Sequence, residues 1–344
     1  MVKRPSNLPR YVGFGLLSMP PRGKFIDPRL KGRVQIAHHP DIAPVLGHPM
    51  IIAPIGVTRF YGNMSFGLDV LENQQVALIR VTMLNDPFDP YGFFETDFGS
   101  YINLLKYVQT HHSKDRGWFR NHVTAQSWGK TERDLTAYMA GLRNDTFVLC
   151  ASAPDGAAHP KDNLYMWGHY GNGHRGFAIE FDSPTLAEVV LAHHCSEGGA
   201  PLVGEQPWVK MEYARSFRPI SAEDVYQFLR QCNEVDARRK RQPEPTPLDS
   251  YYRQLSVIKS DVWQSENEWR LMWRSTTETG GVYKIPITPG CIRAVYLGLA
   301  IPRDDKQRVV AAVGRYFPDA EVWCATKRHG DLSLDFHRYP GTAK

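Results

Sequence analysis

Residues 163–182 read NLYMWGHYGNGHRGFAIEFD. Gly168, Gly171, Gly173 and Gly176, with His169, His174, Trp167 and Tyr170, precede a run in which Phe177, Ile179 and Phe181 alternate with Ala178 and Glu180. Strict alternation makes that run a strand with one apolar face. A loop rich in Gly, His and Trp ahead of it suits a pocket wall better than a core. In that reading Trp167 and Tyr170 stack on a planar ligand and an imidazole donates a hydrogen bond. The structural alternative is a glycine-bent turn capped by satisfied histidines. His169 and His174 stand five apart, which does not put them on one helix face as an i, i+4 metal pair requires, so no metal is expected.

Outward from this stretch, residues 265–273 read SENEWRLMW. On a strand, Glu266, Glu268 and Arg270 share one face, and Asn267, Trp269, Leu271 and Trp273 the other. The aromatic face belongs to a core, so the charged face is expected to look outward, into solvent or a cleft. Two carboxylates two residues apart, followed by an arginine, suit the binding of ribose hydroxyls or the stabilisation of a cationic centre. The alternative is a solvated face whose internal ion pair contributes little.

Around these two blocks, short strands are expected at VTRFYG, VALIRV, FVLCAS, WVKMEY, WRLMWR, VYKIPI, IRAVYLG, AEVWCA and LDFHRY. Helices are expected over about 66–73, 101–111, 131–142, 184–194, 221–241, 248–263 and 303–317. Asn85 to Gly92, NDPFDPYG, is a turn set by Asn, Asp and Pro. Strands outnumber the βαβ signals that a doubly wound sheet needs, so the fold class is α+β. Nine prolines make residues 1–55 an extended arm. Residues 56–344 are expected to form a single α+β domain with helical insertions at about 99–142 and 221–263.

Charge is uneven. Residues 1–34 hold eight Lys or Arg against Asp27, a net of +7, so the rest of the 344-residue chain carries −2 of the total +5. Such an arm can track a phosphate backbone or simply be a solvated tail. Five scattered cysteines with no short spacing argue against a disulfide framework or zinc knuckle. No run of eighteen apolar residues occurs and no apolar run of signal-peptide length follows the basic start. A cytoplasmic chain, mature from Met1 and making no membrane contact, is expected. Nucleophile-elbow, P-loop and dinucleotide-fingerprint motifs are absent.

The order of these landmarks resembles a bacterial family known as domain of unknown function 2971. Its pattern has an early Tyr-[Lys/Arg]-Tyr strand, an NDPFD-type turn, a Cys-x-Ser strand, an MWxHYxxxHxGxxIxFD block, and a Lys followed by WxxExEWR. Here these fall at Thr58-Arg59-Phe60, Asn85 to Asp89, Cys150 to Ser152, Met166 to Asp182, and Lys259 with Trp263 to Arg270. Thr58 departs from the pattern. More distantly, an early Arg, a mid-chain Ser or Tyr and a late Glu-x-Glu opening a strand resemble the layout of ADP-ribosyltransferases. That superfamily implies a cleft between mixed or antiparallel sheets, flanked by helices, and NAD as substrate. The resemblance gives Glu268 the ribose and the developing cation, and Glu266 the acceptor. It gives Arg59 the NAD phosphate or ribose, and Ser152 the support of the glutamate. Trp167 and Tyr170, with His169 and His174 beside them, become the nicotinamide wall. The acceptor would be a macromolecule, nucleic acid or protein, and the biology that of a toxin or phage-defence effector with an antitoxin or defence partner. Two other classes stay open: a non-enzymatic nucleic-acid-binding or sensing protein of a defence system, and a metal-dependent nuclease or other hydrolase using Asp86, Asp89, His169, Glu266 and Glu268.

Overall fold

The strand opened by Thr146 organises the molecule. In the computed structural model, which describes residues 54–86, 88–89, 96–196, 208–238, 247–275 and 280–340, the chain first forms β1 (Gly56–Tyr61), α1 (Met64–Glu72) and β2 (Gln75–Arg80). Helices α2 (Tyr101–His111), α3 (Arg116–His122) and α4 (Ala125–Asp145) follow, then β3 (Thr146–Ser152) and α5 (Leu164–His169). Next come β4 (Phe177–Asp182), α6 (Ser183–Ser196), β5 (Trp208–Lys210), β6 (Glu212–Ala214) and α7 (Ala222–Arg238). The chain continues through α8 (Pro247–Ser256), β7 (Ile258–Ser260), β8 (Glu268–Arg274) and β9 (Val282–Pro286). It closes with β10 (Ile292–Leu297), α9 (Arg303–Tyr316), β11 (Glu321–Lys327) and β12 (Leu334–Arg338).

The α+β class holds: a mostly antiparallel open sheet, flanked by helices, runs β12-β11-β10-β4-β1-β3-β2-β9. β8 lies along the whole length of β3, from Thr146↔Arg274 to Ser152↔Glu268, and β5 pairs with β8. Among the described strands only β10–β11 in this sheet, and the separate β6–β7 pair, run parallel. A strand has two edges, and β8 takes one of them. β1 and β2 therefore share the other: β2 meets it at Val148 and Phe147, β1 only at Ser152, through Thr58. Between those contacts β1 and β2 splay apart, leaving Leu149, Cys150 and Ala151 with no strand partner on that edge among the described residues. The fork opens a cleft in the middle of the sheet.

Alternation along β3 and β8 separates two faces. Phe147, Leu149 and Ala151 join Trp269, Leu271 and Trp273 in the main core, which α1, α6 and α9 cover. Val148, Cys150 and Ser152 stand on the opposite face, opposed by Met272, Arg270 and Glu268. The helices expected as insertions gather into a second core around Leu104, Phe119, Met139, Tyr226 and Tyr252.

One expected helix is shorter than its pattern. Residues 248–263 do not form one helix, because α8 stops at Ser256 and the β-branched pair Val257 and Ile258 leads into β7. A 3₁₀ segment from Asp261 to Glu266 follows. The expected arm, residues 1–55, lies outside the described residues except for its last two. Among the described residues no helix is long and apolar enough to cross a membrane.

Candidate functional site

The fork between β1 and β2 opens into a cavity of about 280 Å³. Its apolar side is made by Phe60, Ile79, Leu84, Val148 and Met166, and its polar side by Tyr170, Lys259, Glu266, Glu268, Arg270 and Asp89. Thr58, Arg59, Cys150 and Ser152 line it where β1 meets β3.

The two glutamates arrive by different routes. Glu268 opens β8, whereas Glu266 ends the preceding 3₁₀ segment. Between them Asn267 sits in the left-handed region (φ +41°), one of the few side chains that tolerate it. Its amide donates to the carbonyls of Ala153 (2.9 Å) and Pro154 (3.2 Å), pinning the kink to the end of β3. The pair therefore does not share a strand face by simple alternation, yet both carboxylates reach one cation. Lys259 Nζ lies 2.6 Å from Glu266 Oε2, 2.6 Å from Glu268 Oε2 and 3.8 Å from Asp89 Oδ2.

Arg270 completes the network. Its Nε donates to Glu268 Oε1 at 2.7 Å, Nη1 to Asp89 Oδ1 at 2.7 Å, and Nη2 to Asp89 Oδ2 and, at 3.3 Å, to Glu268 Oε2. Of the two surroundings expected for the charged face of β8, solvent is excluded and the cleft is found, since Glu266, Glu268 and Arg270 all line the cavity. Glu266 is 4% exposed, Glu268 3% and Arg270 1%. Alternation separates two faces without telling what covers them, and here Lys259, Asp89 and the end of α8 cover the charged one.

Burial and pairing act on each group differently. Burial favours a neutral Glu268, but Arg270 and Lys259 outweigh it and hold the carboxyl at about 2. Burial also raises Glu266, and there Lys259 and the bond from Tyr170 do not cancel it, so its pKa stays above the ordinary value. The Lys259 ammonium loses hydration, yet Glu268 and Glu266 more than compensate and push its pKa up. Burial and then the Glu268 charge push the Cys150 thiol up.

The two blocks singled out in the sequence meet here. Tyr170 donates its hydroxyl to Glu266 Oε1 at 2.6 Å, and Asn163 Nδ2 donates to the Ser265 carbonyl at 2.7 Å. Asn163 also caps α5, accepting from the amides of Tyr165 and Met166. Asn163→Ala is expected to lose the cap and the tie together, lowering stability by about 1–2 kcal/mol in urea denaturation. A loss confined to the cap would leave the Tyr170 environment unchanged by near-ultraviolet circular dichroism.

The remaining expected site residues divide. Arg59 lines the cavity with its guanidinium 5.6 Å from the Tyr61 ring centre, and its Nη1 is buried without a hydrogen-bond partner. Trp167 does not line the cavity and cannot stack on a ligand. It is fully buried, its Nε1 donates to the Lys161 carbonyl at 2.7 Å, and Phe60, His174 and Phe336 pack on its ring. His169 is exposed against Tyr165, and His174 stacks on Trp167, so neither imidazole lines the cavity. Burial lowers the His174 pKa. Asp86 accepts from Trp263 Nε1 at 2.9 Å. Among the described residues no group of three or more His, Cys, Asp or Glu could hold a metal ion. Where Asp89, Glu266 and Glu268 converge, the Lys259 ammonium already fills the position.

The principal residue that sequence reasoning left without a role is Lys259. Its signal was its place just before WxxExEWR, obscured because residues 248–263 read as one helix. Tyr213, whose hydroxyl accepts from the Glu268 amide at 2.8 Å, gave no signal at all.

Residues 166–271 match a family model described as protein of unknown function (DUF2971). This is the family indicated by the MWGHY and ENEWR blocks. The matched segment starts in α5 and ends in β8, so it includes Tyr170, Lys259, Glu266, Glu268 and Arg270. No curated protein and no solved structure matches the chain.

Proposed function

We propose that this cavity is the catalytic cleft of an ADP-ribosyltransferase-like enzyme that breaks the nicotinamide–ribose bond of NAD and passes ADP-ribose to a macromolecular acceptor. The observation that carries the reading is one cavity whose lining brings the buried carboxylate of Glu266 together with Arg59, whose Nη1 is buried and has no hydrogen-bond partner among the described residues. Breaking that bond builds positive charge at the anomeric carbon, which preorganised negative groups in a dry site stabilise. The diphosphate brings negative charge, which Arg59 Nη1 can meet in a charge-assisted hydrogen bond. The apolar side, with Tyr170 at its edge, suits a flat pyridine ring. A cavity of about 280 Å³ is just below the range of ~300–1,000 Å³ usual for small-molecule sites. It suits the nicotinamide–ribose end, with the adenosine extending outward. A toxin or phage-defence effector is the biological class that goes with this chemistry.

The test is chromatographic detection of nicotinamide from NAD and the full chain, with and without chelator. Release insensitive to chelator is expected. NAD at about a hundred times its Kd should also stabilise the fold by ~2.7 kcal/mol. Arg59→Ala should weaken ADP-ribose binding by roughly ten-fold or more, the effect of a lost charged hydrogen bond. No release together with no stabilisation would end the reading; release only with added divalent metal would favour a hydrolase.

A further inference from the structure

We propose that Glu266 is the carboxylate that moves the proton in this cleft and that Glu268 is a positioning residue which touches no reacting atom. The inference rests on the reading above for the identity of the reaction, but its residue assignment rests first on the hydrogen bonds around the two carboxylates. An ionised carboxylate has about four acceptor sites. Glu268 already accepts three charged bonds: Arg270 Nε at 2.7 Å on Oε1, and Lys259 Nζ at 2.6 Å and Arg270 Nη2 at 3.3 Å on Oε2. At most one acceptor site is left for a ribose hydroxyl. Two adjacent cations also quench its charge, so it is a poor partner for a developing oxocarbenium ion.

Glu266 differs in each respect. It takes one bond on each oxygen, from Tyr170 at 2.6 Å and Lys259 at 2.6 Å, so about two acceptor sites remain. It lines the cavity, and among the described residues Lys259 is the one cation that touches it. The titratable groups facing it are Lys259 from β7, Glu268 from β8, Tyr165 and Tyr170 from α5 and its end, and Tyr213 from β6. Its raised affinity for a proton brings it nearer to that of a working general base.

The step balances. The C–N bond to nicotinamide breaks and its electron pair leaves with the neutral amide. A lone pair of an acceptor O–H or N–H forms the new bond to the anomeric carbon, and the Glu266 carboxylate takes the acceptor's proton. Glu268, with Asp89, holds Arg270 and Lys259 in place so that Glu266 stays aimed at the cavity.

The experiment compares the parent with Glu266→Gln and Glu268→Asp, a change that keeps the charge of the clamp. Glu266→Gln should lower nicotinamide release and transfer by ~10²–10⁴-fold with little change in unfolding temperature. Glu268→Asp should lose less activity and more stability. Parental release should rise with pH through a midpoint above 4.5, the ordinary glutamate value. In Glu268→Gln, assayed below its own unfolding temperature, that limb should move to lower pH, because the neighbouring negative charge is gone. Parental activity in Glu266→Gln with none in Glu268→Asp would overturn the assignment. If the parent releases no nicotinamide, the proposed function fails, and ¹³C-glutamate NMR of the full chain decides the assignment. The resonance lost in Glu266→Gln must then titrate above 4.5, and titration at or below that value overturns it.

Discussion

Arg270→Met is expected to unfold in urea with a stability lower by about 3–5 kcal/mol, the usual cost of breaking a buried ion pair from one side. Methionine replaces much of the volume and none of the charge. Asp89 and Glu268, each at 3% exposure, lose the guanidinium that bonds both of them. Lys259 cannot replace it, since it lies 3.8 Å from Asp89 and already serves Glu266 and Glu268. The deficit should narrow on acidification, as the orphaned Glu268 carboxylate takes up a proton. Removing Lys284 from the exposed pair it forms with Asp69 at 2.8 Å should, by contrast, change little. A loss below ~1 kcal/mol in Arg270→Met would mean that the buried charges relax into solvent.

Acid should remove about 3 kcal/mol of stability through Glu268 alone. Its pKa falls from 4.5 to about 2 on folding, and each pKa unit is worth ~1.4 kcal/mol. A depressed carboxylate contributes stability that is present above its unfolded pKa and lost as pH falls through its folded one. The window therefore runs from near 4.5 down to about 2. Glu266 acts with the opposite sign. Its folded pKa is raised, so it destabilises the fold at neutral pH and returns that stability as pH drops below its folded value. Urea denaturation of parent and Glu268→Gln across this window should show the parental advantage shrinking as pH falls. An advantage independent of pH would mean that packing, not charge, makes Glu268 important.

The candidate site was partly legible in the sequence. The Glu-x-Glu spacing brought two carboxylates to one cavity, although Glu266 reaches it from a 3₁₀ turn and through the left-handed Asn267. Tyr170 was legible as a pocket residue from its place in the Gly/His-rich stretch before β4. Trp167 was not. An aromatic in a glycine-rich loop reads the same whether it faces a ligand or the protein interior. Its burial depends on Phe336 from β12, more than 160 residues away in the chain. His174 stacks in turn on that buried indole.

Alternation in β3, β4 and β8, together with the scarcity of βαβ units, determines the α+β class from local chain chemistry, because side-chain period follows from backbone geometry. The pairing of the MWGHY and ENEWR blocks with a family pattern was also legible along the chain. Which strands share an edge is a different kind of fact. Only the tertiary structure decided that β1 and β2 compete for one side of β3, so that the sheet forks and leaves a cavity. It also decided that the charged side of β8 is covered. Strand period separates two faces but carries no information about what will pack on either, and here a lysine from β7 and an aspartate from the NDPFD turn close over it.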